Sequence, residues 1–295
     1  MKNNTLWQRI VENRHFYYFV TPFFLFFTIF MLFPVLYSFY ISLNQWSGMT
    51  SEFIGLRNYE LLLNDTVFWQ SLWNTVYLWL VNVPLIVLAS LILAVILNNK
   101  DVWFLGIFRT GYFLPFVTST VVVGIVFSLL LDQNYGVVNY LLELVGLNKI
   151  PFLTSTFWSK PSIVILLLWR WVGYNSIIML AGLQNINPSL YEAAEIDGAG
   201  TFHKFTKITV PLMGPIILFV TMVSTIGSFK IFTEPYILTN GGPLRSSMTI
   251  LMFLYLKAFE QFRMGYASAI SYVLFVIILV LSVVQLKIGS RKEGL

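Results

Sequence analysis

A chain of 295 residues that is 57% hydrophobic and 11% charged lies far from the roughly 25% charged of an average soluble domain, and its mean hydropathy is +0.76. The net charge of +5 is then no nucleic-acid footprint but a sign of basic loops on one face of a bilayer. With no cysteine in the chain, disulfides, thiol catalysis and thiolate metal sites are excluded.

Several apolar runs of about 20 residues, each able to cross roughly 30 Å of hydrocarbon, predict a polytopic all-α membrane protein. Residues 1–16 mix Lys2, Arg9 and Arg14 with Leu6, Trp7, Ile10 and Val11. That pattern suits a short interfacial helix, or equally a frayed basic terminus. No signal-peptide grammar is expected, because the first apolar run is too long and no small-residue cleavage site follows it. The predicted spans are Phe16–Leu43, Trp73–Leu97, Gly106–Leu131, Pro161–Leu183, Leu212–Phe232 and Ala267–Leu286. Pro22, Pro34, Pro84 and Pro115 fall inside them, which is tolerable where neighbouring helices or a water-filled cavity satisfy the freed carbonyls. The third span is expected to be interrupted at Pro115. Between spans three and four, Val137–Val145 reads as a short amphipathic surface helix.

Six spans put both termini on one side, and basic residues choose the side. Lys2, Arg9, Arg14, Lys100, Arg109, Lys204, Lys207, Lys287, Arg291 and Lys292 lie on the termini and on loops 98–110 and 184–211. The opposite loops hold Arg57, Lys149, Lys160, Arg245, Lys257 and Arg263 over more residues. The bias predicts cytoplasmic termini and a cytoplasmic 184–211 loop. The expected division is therefore an N-terminal segment over 1–16, a six-span bundle over 17–286 and a tail over 287–295.

Loop 184–211, reading QNINPSLYEAAEIDGAGTFHKFTKITVP, is the charged interruption between two almost uncharged spans. Asn187 and Pro188 read as a helix start, Asp197-Gly198 as its end, and Gly200-Thr201 as the start of a second short helix. Ala193 and Ala194 form a small-residue patch that another surface could approach closely. A hairpin that merely joins two spans is the structural alternative.

No GxxxxGK[ST] loop is present, so the chain does not itself cradle ATP phosphates in the P-loop manner. His15 and His203 are its two histidines and neither has acidic partners at metal-ligand spacing. A membrane hydrolase would need a nucleophile with a positioned base, and no histidine lies in a span. The chain is expected not to be an enzyme. A secondary transporter would need intramembrane carboxylates for ion coupling, and the spans offer none at depth.

Glu192-Ala193-Ala194, then Asp197-Gly198-Ala199, then Ile208 and Pro211 resemble the EAA signature of bacterial ABC importer permeases; Val210 stands where leucine is usual. Phe53-Ile54-Gly55-Leu56-Arg57-Asn58-Tyr59, Gly111-Tyr112-Phe113-Leu114-Pro115, Tyr135-Gly136-Val137-Val138-Asn139 and Leu238-Thr239-Asn240-Gly241-Gly242-Pro243 are similar to segments of the carbohydrate branch. The resemblance implies a six-span type I importer fold and a loop that couples to an ATPase through Glu192, Ala193, Ala194, Asp197, Gly198 and Pro211. It also implies a second, different permease, two copies of a nucleotide-binding subunit that bind ATP and magnesium, and an extracytoplasmic substrate-binding protein. No cofactor is implied in this chain, and no nucleic acid among its partners. The solute is expected to be a sugar or oligosaccharide, with glycerol 3-phosphate or an anionic saccharide as alternatives, and the location the bacterial cytoplasmic membrane.

Matched by distance from the EAA and LTxGGP anchors, Phe116, Thr120, Tyr174, Ser224 and Ser228 fall at solute-facing positions of that family. Trp169, Arg170 and Asn175 join them as aromatic and polar groups of the fourth span, a mixture that suits sugars. Helix–helix packing by small polar residues is the alternative. Arg170 reads either as a contact for an anionic group, as half of an ion pair with an acid on another helix, or as a snorkelling side chain. Lys230 and Glu234 are left as ordinary residues of the outer end of span five.

Overall fold

The computed structural model describes residues 12–46, 48–98 and 105–293. Residues 1–11 of the expected interfacial segment therefore lie outside the described residues, as do Lys100 and the last two residues of the tail. The chain divides into two compact units, one drawn from Met1–Leu62 and Lys257–Tyr272, the other from Leu63–Leu256 and Val273–Leu295.

The first unit opens with helix α1, Arg14–Ser42, whose apolar stretch is 0% buried. A π-helical stretch at Thr28–Leu32 interrupts its regular turns. A two-stranded antiparallel hairpin follows, β1 Asn44–Trp46 pairing with β2 Ser51–Phe53. This hairpin departs from the all-α expectation, and helix α2, Arg57–Leu63, comes directly after it. The FIGLRNY stretch is what closes this corner. Gly55 takes φ +60°, a region that favours glycine. Buried Asn58 donates through Nδ2 to the Ser42 carbonyl at 2.8 Å and to the Asn44 carbonyl at 2.9 Å. The Tyr59 hydroxyl meets the Ser42 hydroxyl at 2.7 Å.

The second unit is built on helices α3, Thr66–Asn98, and α7, Ser159–Leu183, which pack along their lengths. Between them in sequence lie α4, Leu105–Val117, α5, Thr120–Leu130, and α6, Val137–Leu144. The third span is broken as expected, but three residues later than expected. Helix α4 runs through Pro115, and the chain bends by 103° between α4 and α5. The Thr118 hydroxyl donates to the Pro115 carbonyl at 2.7 Å at the break, replacing a hydrogen bond the bend removes. The Tyr135-Gly136-Val137-Val138-Asn139 stretch is a wrapped turn. Asp132 Oδ1 accepts from the Asn134 and Tyr135 backbone at 2.8 and 2.9 Å, and those donors hold its carboxyl below the ordinary range. Asn139 bridges to Asp132 and Ile150 through both ends of its amide.

After α7 come α8, Ser189–Ile196, and α9, Thr201–Leu212, then α10, Gly214–Phe229, bent by 68° from α9. The segment closes with α11, Thr233–Thr239, and α12, Ile250–Tyr255; α13, Met264–Glu293, is shared between the two units. Buried Thr225 of α10 accepts from Trp79 Nε1 of α3 at 3.0 Å and from Gln285 Nε2 of α13 at 2.8 Å. One hydroxyl thereby ties three helices inside an apolar setting where no water competes. Among the described residues, four helices are long and apolar enough to cross a membrane, or six if each bent pair counts as one span. The protein is accordingly a multi-pass membrane protein.

Candidate functional site

The 184–211 loop folds into the two helices expected of it, α8 and α9. Helix α8 starts one residue later than expected, at Ser189, with Asn187 Oδ1 accepting from the Ser189 backbone at 3.1 Å. Its end is a double backbone closure: Ala199 N–H donates to the Ala194 carbonyl at 2.8 Å and Gly198 N–H to the Glu195 carbonyl at 3.0 Å. This is the Schellman arrangement, and it requires the left-handed φ of +79° that Gly198 adopts. The Asp-Gly pair of the sequence therefore sets the angle at which α8 leaves α9.

One side of this hairpin is anchored and the other is free. The Tyr191 and Thr209 hydroxyls meet at 2.9 Å, joining α8 to α9. Phe205 and Val210 of α9 pack on a core that includes Leu97, Leu183 and fully buried Met213, contributed by the ends of α3 and α7 and by the α9–α10 bend. Nothing in α8 is buried. Glu192, Ala193, Asp197, Gly198 and Pro211 are exposed and Ala194 is half-buried. Beside them Ile196 is 88% and Phe202 79% exposed. Two large apolar side chains in a charged loop mark a contact surface more sharply than Ala193 and Ala194 do. The sequence held this signal, since both interrupt a polar run, but helical spacing alone does not say which apolar residues turn outward. The Lys204–Glu195 pair, at 3.7 Å, lies on the surface and contributes little.

Deeper in the second unit, Asn175, Ser224 and Ser228 line one cavity of about 390 Å³ together with Asn82, Trp171, Lys230 and Glu234. That volume lies within the ~300–1,000 Å³ of ordinary ligand pockets. Trp171 and Asn175 lie one turn apart on α7, as do Ser224 and Ser228 on α10, so each helix presents one polar stripe. The other expected contacts sit elsewhere. Phe116 stacks on Tyr174 with centroids 4.2 Å apart and meets Trp171 edge-on at 5.4 Å, an aromatic cluster that backs the cavity's Trp171 wall. Trp169 tilts against Phe127 at 5.4 Å and lines a separate groove with Tyr112 and Pro115. It stands two residues from Trp171, which on a helix is nearly the opposite face.

Arg170 is an ion-pair residue. Its Nη1 lies 3.5 Å from a Glu234 carboxylate oxygen, both side chains being largely buried. The same nitrogen donates to Thr120 Oγ1, and the guanidinium carbon stands 5.7 Å from the Trp171 ring centroid. Glu234 is thus no ordinary outer residue, as its position near the end of span five suggested; at 7% exposure it is a buried counter-charge. The pair links α7 to the first turn of α11 and, through Thr120, to α5 just past the 103° break. No group of three or more potential metal ligands occurs among the described residues.

Comparison with known proteins places the chain. Residues 68–292 match the model of the binding-protein-dependent transport system inner membrane component family. The lactose transport system permease protein LacF of Rhizobium radiobacter is 42% identical over 93% of this chain and 94% of its own. The arabinooligosaccharides transport system permease protein AraP of Bacillus subtilis is 37% identical over 94% and 89%, and the trehalose/maltose transport system permease protein MalF of Thermococcus litoralis is 34% identical over 90% of each. Among solved structures, a chain of a bacterial alginate ABC transporter in complex with an alginate pentasaccharide-bound periplasmic protein superposes with a TM-score of 0.85. It is 25% identical and covers 98% of both chains. An exposed, capped hairpin, a polar cavity in the same unit and relatives matched over most of their length all agree: the chain belongs to the binding-protein-dependent transport system inner membrane component family of ABC transporter permeases.

Proposed function

We propose that this protein is the membrane-spanning subunit of an ATP-driven importer of a sugar or oligosaccharide, with α8 and α9 receiving the motion of an ATPase. The observation that carries this reading is the mechanical character of the hairpin. It is exposed at Glu192, Ile196 and Phe202, rigidly capped at Gly198, and packed through Phe205 and Val210 onto the helices that line the cavity. A push on α8 has no soft joint in which to be lost before Pro211 and the α10 bend.

In this reading the bundle has six spans over 17–286, both termini and the 184–211 loop are cytoplasmic, and the membrane is the bacterial cytoplasmic one. A second, different permease completes the pathway. Two ATPase subunits hold ATP and magnesium, and an extracytoplasmic binding protein delivers the solute. Asn175, Ser224 and Ser228 contact that solute directly, whereas Phe116, Tyr174, Thr120 and Arg170 shape the wall behind them and Trp169 faces away.

The test is reconstitution of the complete complex in proteoliposomes with its binding protein, measuring ATP-dependent uptake of lactose, maltose and arabinotriose. Uptake of one of them that is abolished by Gly198→Pro supports the reading. A complex that moves none of them, or whose uptake survives Gly198→Pro, contradicts it.

A further inference from the structure

Six asparagines are buried among the described residues: Asn44, Asn58, Asn74, Asn82, Asn139 and Asn175. Five of them donate to backbone carbonyls, at distances between 2.6 and 3.1 Å. Asn82 is the exception. It is 2% exposed, its amide oxygen has no partner, and neither end of its amide makes a hydrogen bond among the described residues. A buried amide left in that state is destabilising, yet the chain keeps it in the middle of its longest apolar helix.

Its position supplies the reason. Asn82 lines the cavity with Trp171, Asn175, Ser224 and Ser228. The register of α3 agrees, because Trp79, three residues before, bonds to Thr225 of α10, and Ile86, four residues after, lines the same cavity. The Ser224 and Ser228 hydroxyls also make no hydrogen bond among the described residues. An amide and two hydroxyls without partners, beside an indole, form a set waiting for a ligand with several hydroxyls and an apolar ring face.

We infer that Asn82, on the second span, is a specificity-determining contact for the transported solute, its amide accepting from one sugar hydroxyl and donating to its neighbour. This rests on the carbohydrate reading above and extends it to a helix for which the sequence offered no solute-facing residue. The amide oxygen is itself buried, and rotation about the broad χ2 of asparagine exchanges it with the nitrogen, so either end can face the ligand.

The experiment compares the wild-type complex with Asn82→Leu and Asn82→Ala, measuring thermal melting without sugar and the KM of uptake for whichever of lactose, maltose and arabinotriose the wild type imports. A ligand-facing amide predicts a split. Asn82→Leu, an apolar isostere, melts at or above the wild-type temperature because an unsatisfied polar group is gone, while the uptake KM rises about tenfold or more, the equivalent of one lost hydrogen bond. Asn82→Ala shows the same rise in KM without dependence on the fit of leucine. If the KM is unchanged, or if both variants melt well below wild type and uptake falls only with the amount of folded complex, Asn82 is structural and the inference is overturned. A wild-type complex that imports none of the three sugars overturns the carbohydrate reading itself, and the inference with it.

Discussion

Arg170 and Glu234 illustrate how a charge survives inside an apolar bundle. Each is affordable only because the other stands 3.5 Å away, since an unpaired buried charge carries a desolvation penalty of several kcal/mol. Glu234→Ala should therefore destabilise the complex by about 3–5 kcal/mol, whereas Arg170→Leu combined with Glu234→Leu should come close to neutral. A double-mutant cycle read by thermal melting checks this, and additive single effects would contradict the pairing. Gly173 makes a second residue-scale case. A Cβ there would collide with the Tyr112 carbonyl oxygen, so Gly173→Ala must push α4 off α7. The expected loss is about 1–3 kcal/mol, visible as a lower melting temperature together with an altered Phe116–Tyr174 stack. Neither residue announces its role in sequence. The charge of Arg170 required a partner, but nothing in its spacing pointed to Glu234, which lies in another helix 64 positions away.

At the scale of elements, the hairpin of α8 and α9 was the most legible part of the chain. Asn187-Pro188, Asp197-Gly198 and Gly200-Thr201 carry local capping chemistry, which acts within a few residues and needs no tertiary context. The cavity was legible only in part. Ser224 with Ser228 was readable from i, i+4 spacing and from anchor distances, and Asn175 from the mixture of aromatic and polar residues in its span. Asn82 was not, because which face of an all-apolar helix meets a neighbour is decided by packing and leaves no periodic signal. Breaks show the same limit: Pro115 flagged a disturbed span, while the bend itself fell at Thr118–Ser119, where α5 starts. For the hairpin, Ile196→Glu separates surface from scaffold. At 88% exposure the change should alter stability by no more than about 0.5 kcal/mol, yet it should abolish co-purification of the ATPase in detergent. Tyr191→Phe should leave docking intact and remove only the 2.9 Å link to Thr209, at a cost of about 0.5–1.5 kcal/mol. Its signature is ATP hydrolysis that continues while uptake per ATP falls. An unchanged transport ratio would mean that the hydroxyl pair carries no force.

For the whole molecule, the sidedness of the bundle can be read from one helix. Helix α7 has 25 residues, which at 1.5 Å per residue is about 37 Å, more than the roughly 30 Å hydrocarbon layer. Tyr135 precedes it and Ile196 follows it, and no other helix long enough to span lies between them. If α7 crosses the membrane, they lie on opposite sides however many spans the rest of the chain makes. The distribution of Lys and Arg predicts a cytoplasmic Ile196. Because the chain contains no cysteine, Tyr135→Cys and Ile196→Cys each introduce a single thiol with no background from this subunit, and both positions are largely exposed, at 91% and 88%. A membrane-impermeant maleimide added to intact cells should label Tyr135→Cys at once and Ile196→Cys only after permeabilisation. Labelling of Ile196→Cys in intact cells would invert the topology and remove the hairpin from reach of any ATPase. Labelling of both would mean that α7 does not cross the membrane.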